Sequence, residues 1–167
     1  MAGHIATSKN TDWETPEWIL EGVRDVFGGK IMLDPCASPS SHLAVMNWHG
    51  PHHESVDGLS AWWSYPNVFV NPPFGRDLPL WVDKVEEETL SGRAVEVILL
   101  TPANVDTKIW QQTIFQRAMA VCFLNGRVTF KGADSCAPMP IALSYWGPHR
   151  LVFKGVFGRE HGMTILL

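Results

Sequence analysis

Val68-Phe69-Val70-Asn71-Pro72-Pro73-Phe74 is the stretch on which the reading of this chain turns. Three apolar, β-favouring residues run into an Asn and two prolines, so a buried strand has to end at Val70 and open into a stiff turn. The same alternation continues beyond it. Residues 79–90 carry Trp81, Val82 and Val85 at helical spacing, with Glu86, Glu87 and Glu88 expected on the solvent face. Residues 95–100 form an apolar, β-rich run between Gly92 and Pro102, residues 107–117 are expected to be helical, and Ala120 to Leu124 to form another strand. Strands alternating with helices predict βαβ units: an α/β fold with a mainly parallel sheet, helices on both faces and ligands at the carboxyl ends of the strands.

Upstream, Thr11 to Glu17 offers capping residues and a proline suited to a first helical turn, so a helix is expected from Pro16 to Phe27, stopped by Gly28-Gly29. Ile31-Met32-Leu33 reads as a buried strand ending in Asp34-Pro35, and a second apolar stretch covers Leu43 to Met46. Residues 47–66, rich in Trp, His, Gly and Ser, read as irregular surface. Downstream, Arg127–Phe130, Ile141–Trp146, Leu151–Phe157 and Met163–Leu167 are expected as strands of an antiparallel finish.

The chain has 167 residues, 46% of them hydrophobic, which suits one domain with a single substantial core; residues 1–10 read as a loose terminus ahead of a domain spanning 11–167. A net charge of −4 with 18% charged residues rules out a global basic field, so any contact with phosphates has to be local. Cys36, Cys122 and Cys136 form no C-x-x-C pair, and the odd count fits a reduced, cytoplasmic protein better than a disulfide scaffold. No signal peptide or bilayer-spanning apolar stretch is evident. The eight tryptophans are spread along the chain and are expected mostly as core or groove walls. His49, His52 and His53 share no zinc-type spacing with a cysteine, so no metal is expected.

Asn71 to Phe74 suit chemistry on a planar amino group. The lone pair of such an amine is delocalised into its ring. An Asn side-chain oxygen and the Pro72 carbonyl can accept hydrogen bonds from the NH2 group and draw its nitrogen toward tetrahedral geometry. Pro72 and Pro73 stiffen the loop, and Phe74 offers a flat face that replaces lost base stacking, worth about 1–3 kcal/mol. The same residues also fit a plain strand end followed by a proline-rich turn. Asp34-Pro35-Cys36-Ala37 follows the first strand, where a doubly wound fold places its nucleotide loop, without the glycine signature of a phosphate cradle. An acidic residue there suits a ligand with positive charge and no phosphate, such as S-adenosylmethionine; an Asp-Pro turn is the other reading.

Six segments occur in the order found in the phage-type Dam-like DNA N6-adenine methyltransferases, which the chain therefore resembles over nearly its whole length. They are Trp13-Glu14-Thr15-Pro16, Asp34-Pro35-Cys36-Ala37, Asp57-Gly58-Leu59 with Trp62 or Trp63, Val70 to Phe74, Leu99 to Ala103, and Gly126-Arg127-Val128-Thr129-Phe130. The resemblance implies a Rossmann-like, S-adenosylmethionine-dependent methyltransferase acting on adenine N6 in DNA, in the bacterial host cytoplasm if phage-encoded. It places Trp13, Thr15 and Pro16 near the methionine end of the donor, Asp34, Pro35, Cys36 and Ala37 beneath it, and Asp57 on the donor adenine. It makes Asn71 to Phe74 the catalytic loop and sets Gly126 and Arg127 beside the substrate pocket. Arg76 adjoins the catalytic loop and is a candidate phosphate contact.

Two departures stand out. Met46-Asn47-Trp48-His49 has no carboxylate for the donor ribose, leaving Glu54 as a candidate, and Phe74 stands where many relatives carry Tyr. RNA adenine, cytosine N4 or a protein glutamine amide remain alternative acceptors, and a catalytically silent nucleic-acid-binding module is the rival from another class.

Overall fold

The computed structural model describes residues 14–50 and 56–167. Helix α1 (Glu17–Val26) begins after Pro16, whose φ of −61° is already helical in value, and is followed by Gly28 at φ 75°. Its buried stripe is Ile19, Leu20, Val23 and Val26. Then come β1 (Leu33–Asp34), β2 (Met46–Asn47), β3 (Tyr65–Val70), α2 (Leu78–Leu90) and β4 (Ala94–Pro102). A π-helical segment, Ile109–Ile114, runs into the short α3 (Phe115–Arg117), followed by β5 (Ala120–Leu124), β6 (Ile141–Trp146), α4 (Arg150–Glu160) and β7 (Gly162–Leu166).

The strands form one seven-stranded sheet in the order β2-β1-β3-β4-β6-β5-β7. β2, β1, β3 and β4 are mutually parallel, whereas β6 is antiparallel to both β4 and β5, and β7 is antiparallel to β5. β5 therefore points the same way as β4 without touching it. Each face of the sheet has its own core. Phe69, Ile98, Leu100, Cys122 and Leu143 pack with Ile19 and Val23 of α1 and Phe153 and Phe157 of α4. Val68, Val70, Val97, Leu99 and Val121 pack on the other face with Trp81, Val82 and Val85 of α2 and with Trp110 and Ile114. Burial on both faces is why β3 and β4 read as continuous apolar runs instead of alternating ones.

Four expectations are corrected. Leu151–Phe157 lies in α4, not in a strand: Phe153 and Phe157, one helical turn apart, are fully buried, while Leu151 and Val152 face outward. Close approach of α1 helps to seat it, because a Cβ on Gly22 would stand 2.7 Å from the Phe157 ring. Arg127–Phe130 forms no strand either. Val128 and Phe130 are buried between exposed neighbours, so the alternation is present, but pairing there is limited to a single bridge between Glu14 and Lys131. The helical stretch expected over 107–117 is wound as a π-helix over most of its length, with Trp110 anchored by its Nε1–H to the Pro102 carbonyl at 2.9 Å.

The fourth correction concerns the acidic run and the stretch before β3. Glu88 is fully buried, not on a wet face, and Trp63, expected on irregular surface, has no exposure at all. Glu88 pairs with Lys84 at 2.7 Å and with Arg93 at 2.8 Å, and accepts the Trp63 backbone N–H at 3.0 Å. Burial pushes its carboxyl up, but the hydrogen bonds from Arg93, Lys84 and Trp63 together outweigh that and hold it at about 2. Charge alone misled here, since a helix glutamate with an i−4 lysine can turn inward once its partners come with it.

Glu88→Ala should cost about 3–5 kcal/mol in urea denaturation, because the buried Lys84 loses its 2.7 Å partner and keeps only the longer contact to Glu87 at 3.8 Å. The folded carboxyl titrates below its unfolded value. The stabilisation from Glu88 is thus complete above the unfolded pKa of about 4.3 and is lost as pH falls toward about 2.

Candidate functional site

Because β1, β3 and β4 run parallel, their carboxyl ends deliver Asp34, Asn71 and Ala103 to one end of the sheet. β5 shares that direction, so the segment after Leu124 arrives there too, and the Ala103 N–H donates to the Pro140 carbonyl at 2.8 Å. The segment Glu14 to Pro16 is tied to the same end: Lys131 N–H donates to the Glu14 carbonyl at 2.9 Å. A hollow of about 530 Å³ lined by Gly28, Lys30, Asn67 and Glu96 lies at the opposite end, remote from these residues.

Asn71 is the meeting point. Its Nδ2–H donates to Thr15 Oγ1 at 3.0 Å across 56 positions of sequence, and Thr15 is only 3% exposed. With Nδ2 held by Thr15, the amide is fixed in rotation and Oδ1 lies on its other side. The backbone N–H of Asn71 donates to the Cys36 thiol, so the loop after β3 and the loop after β1 touch directly. Pro72 is buried, Pro73 exposed and Phe74 half-buried, the last with its ring edge-on to Phe130 at 6.0 Å between centroids. That packing leaves Phe74 held in place rather than free to swing.

Asp34 is 4% exposed and its carboxylate accepts the Cys36 N–H at 3.1 Å. Burial is the main influence on it, opposed by the two contacts from Cys36, and the carboxyl is pushed up to about 7. Burial, and next the neighbouring Asp34 charge, raise the Cys36 thiol well above the ordinary range, which keeps it protonated and a poor nucleophile. Ala37 N–H donates to the Trp48 carbonyl, and Trp48 N–H to the Asp34 carbonyl, at 3.0 and 2.9 Å, which holds the loop along the extension of β2. Pro35 is backed by Gly58. A Cβ there would lie 2.0 Å from the Pro35 carbonyl oxygen, so only glycine fits.

Asp57 is half-buried and its carboxylate organises the turn that carries Gly58, accepting Leu59 N–H at 3.1 Å and the Ser60 hydroxyl at 2.8 Å. Trp63 closes this region by donating Nε1–H to the Gly58 carbonyl at 2.8 Å. On the other side, Gly126 takes φ 71° and starts a loop that folds on itself, Ala137 N–H reaching the Val128 carbonyl at 2.7 Å and Arg127 Nη1 the Pro138 carbonyl at 3.0 Å. Arg127 and Arg76 are exposed. Trp13, Glu54, His52 and His53 lie outside the described residues.

The structure thus brings Thr15, Asp34, Cys36 and Asn71 into one contact set, with Asp57 behind Pro35. It adds four residues that sequence reasoning did not single out: Glu14, Ser40, Phe130 and Lys131. Glu14, Phe130 and Lys131 stood in or next to quoted segments, so position was the available signal. Ser40 carried none.

A family model described as DNA N-6-adenine-methyltransferase (Dam) matches residues 3–140, more than half of the chain. The chain belongs to the Dam family. A DNA N-6-adenine-methyltransferase of Haemophilus phage HP1 (strain HP1c1) is 28% identical to it over 120 residues, 71% of this chain and 65% of that protein. The chain thus spans less than two thirds of that relative's length. All the contacts of Asn71, Asp34 and Gly58 described above lie within the part matched to the Dam family, whereas α4 and β7 lie beyond it. Among the described residues, no helix is long and apolar enough to cross a membrane.

Gly58→Ala should displace Pro35 or the turn at Asp57 and lower stability by about 1–3 kcal/mol, read as a fall in the thermal midpoint. An unchanged midpoint would show that Gly58 and Pro35 are not in the contact described.

Proposed function

We propose that this chain transfers a methyl group from S-adenosylmethionine to the N6 amino group of adenine in DNA, with residues 11–167 forming a single Rossmann-like methyltransferase domain. The observation that carries this is the Asn71 amide at the carboxyl end of a parallel strand, fixed by Thr15 and in backbone contact with the loop that holds a buried carboxylate, in a chain of the Dam family. The donor supplies an electrophilic methyl group on a cationic sulfur. The residues present fit such a ligand: Asp34 is a buried acid that accepts hydrogen bonds from Cys36, and a cationic group beside it would relieve the cost of its burial.

Asn71 Oδ1 and the Pro72 carbonyl accept hydrogen bonds from the two N–H groups of adenine N6. Those bonds localise the nitrogen lone pair and aim it at the methyl carbon. Phe74, braced by Phe130, stacks on the extruded base and offsets part of the stacking lost from the duplex. As the C–N bond formed, the bond from the methyl carbon to sulfur would break with its electron pair left on sulfur as a neutral thioether, and the nitrogen would then carry a surplus proton of low pKa that solvent can take, so no strong base is needed. Pro16 and Ala37 border the donor, Asp57 meets its adenine, and Arg76, Gly126 and Arg127 face the nucleic acid, where the arginines contact phosphates. With a net charge of −4, the chain relies on such local contacts, so affinity for DNA should fall as salt rises.

Asn71→Ala should lower methyl transfer by at least about 100-fold while leaving donor binding by calorimetry within a few-fold, with a labelled donor and duplex DNA as the assay and mass spectrometry identifying the methylated nucleoside. Full activity in that variant, or label found only in RNA or protein, sinks the assignment.

The carboxyl of Asp34 is raised, so it is neutral below about pH 7 and charged above it. Donor affinity should be greatest above that pH and fall by up to about tenfold per unit below it. Asp34→Asn should bind weakly and with a flat pH profile.

A further inference from the structure

The Glu14 side chain reaches both halves of the proposed site. Its carboxylate accepts the hydroxyl of Ser40 at 3.1 Å through Oε1 and pairs with Lys131 Nζ at 3.4 Å through Oε2. Its backbone is joined to Lys131 by the bridge that ends the 126–131 segment, and the next residue, Thr15, holds Asn71. Ser40 belongs to the loop that begins at Asp34. Lys131 follows Phe130, the residue that braces Phe74. A single carboxylate thus spans from the donor loop to the loop carrying the acceptor-side residues.

We infer that Glu14 is a positioning residue that couples occupancy of the donor site to binding of DNA. The inference rests on the proposed methyltransferase reading. A donor seated on residues 34–37 restrains the loop through to Ser40. Ser40 then restrains the Glu14 carboxylate, and Glu14 holds Lys131 and the loop beside Phe130 in the arrangement that receives a base. The ordering cost of the acceptor side is met when the donor binds, so DNA then binds more tightly. The ion pair to Lys131 is exposed and weak by itself, with the Lys131 side chain 74% accessible. What matters is that the two oxygens of one carboxylate are shared between two loops.

The test measures the dissociation constant of an adenine-containing duplex with and without saturating S-adenosylhomocysteine, a non-reactive product, by fluorescence anisotropy. The wild-type ratio should be about fivefold or more. In Glu14→Ala the ratio should fall toward one, while calorimetry shows the affinity for S-adenosylhomocysteine alone changed by less than about threefold. Lys131→Ala, at an exposed position where folding is not at risk, should give an intermediate ratio, and Glu14→Gln, which keeps the Ser40 contact and loses the charge pair, should resemble Lys131→Ala. A merely structural role would lower the thermal midpoint of Glu14→Ala and leave the ratio intact. An unchanged ratio in Glu14→Ala overturns the inference, as does a wild-type ratio of one. Should Glu14→Ala fail to fold, an unchanged ratio in Lys131→Ala overturns it instead. If the wild type methylates DNA but shows no coupling, only this inference fails; if it binds neither ligand, the reading of the site falls with it.

Discussion

A carboxylate sealed from water has to be paired if it is to stay charged, and Glu88 is where this structure meets that constraint. Lys84 and Arg93 neutralise it and the Trp63 N–H completes its shell. The consequence reaches well beyond α2. Trp63, pinned through its backbone, uses its indole to hold the Gly58 carbonyl, and Gly58 in turn packs against the carbonyl of Pro35 with no room for a side chain. One chain of contacts thus runs from an ion cluster in a helix to the back of the loop that starts at Asp34. Arg93 also lies 5.5 Å over the exposed Trp62 ring, so the residue next to the anchor is covered by the same guanidinium.

The site itself is a product of parallel strands. Loops that are distant in sequence meet because β1, β3 and β4 all end at the same edge, and β5 adds its own loop from the antiparallel half of the sheet. Asn71 then touches two of them: Thr15 by its side chain and Cys36 by its backbone. This explains how one sheet gathers loops that lie far apart in the sequence. It also separates two kinds of buried acid. Glu88 is paired and held at about 2, while Asp34 lacks comparable partners and is pushed up to about 7. The first is held charged by its partners; the second is driven toward its neutral form by burial.

Much of the fold was legible in the chain. The strands expected over Val68–Val70, residues 95–100 and Ala120–Leu124 fall within Tyr65–Val70, Ala94–Pro102 and Ala120–Leu124, and the helix expected over 16–27 nearly coincides with Glu17–Val26. Apolar spacing and nearby Pro or Gly mark these elements locally. Tyr65 and Pro66, read as irregular surface, join β3 only through its pairing with β4. The errors share a cause. Leu151–Phe157 is short and apolar enough to suit either element, and which one forms depends on α1 and the sheet being there to bury Phe153 and Phe157. Arg127–Phe130 has the alternation of a strand but lacks a ladder beyond one bridge.

Local sequence therefore determined where the chain can bend and which residue types stand at the strand ends: Asp34, Asn71 and the stiff prolines after it are legible because backbone restriction and side-chain chemistry belong to a residue wherever it sits. Only the tertiary structure decided which of these residues meet. The bond from Asn71 to Thr15, the burial that raises Asp34, the inward turn of Glu88 and the reach of Glu14 from Ser40 to Lys131 join positions far apart in the chain. Pairing, burial and charge depend on neighbours that the packing of sheet and helices supplies, and those neighbours are not encoded in any short stretch.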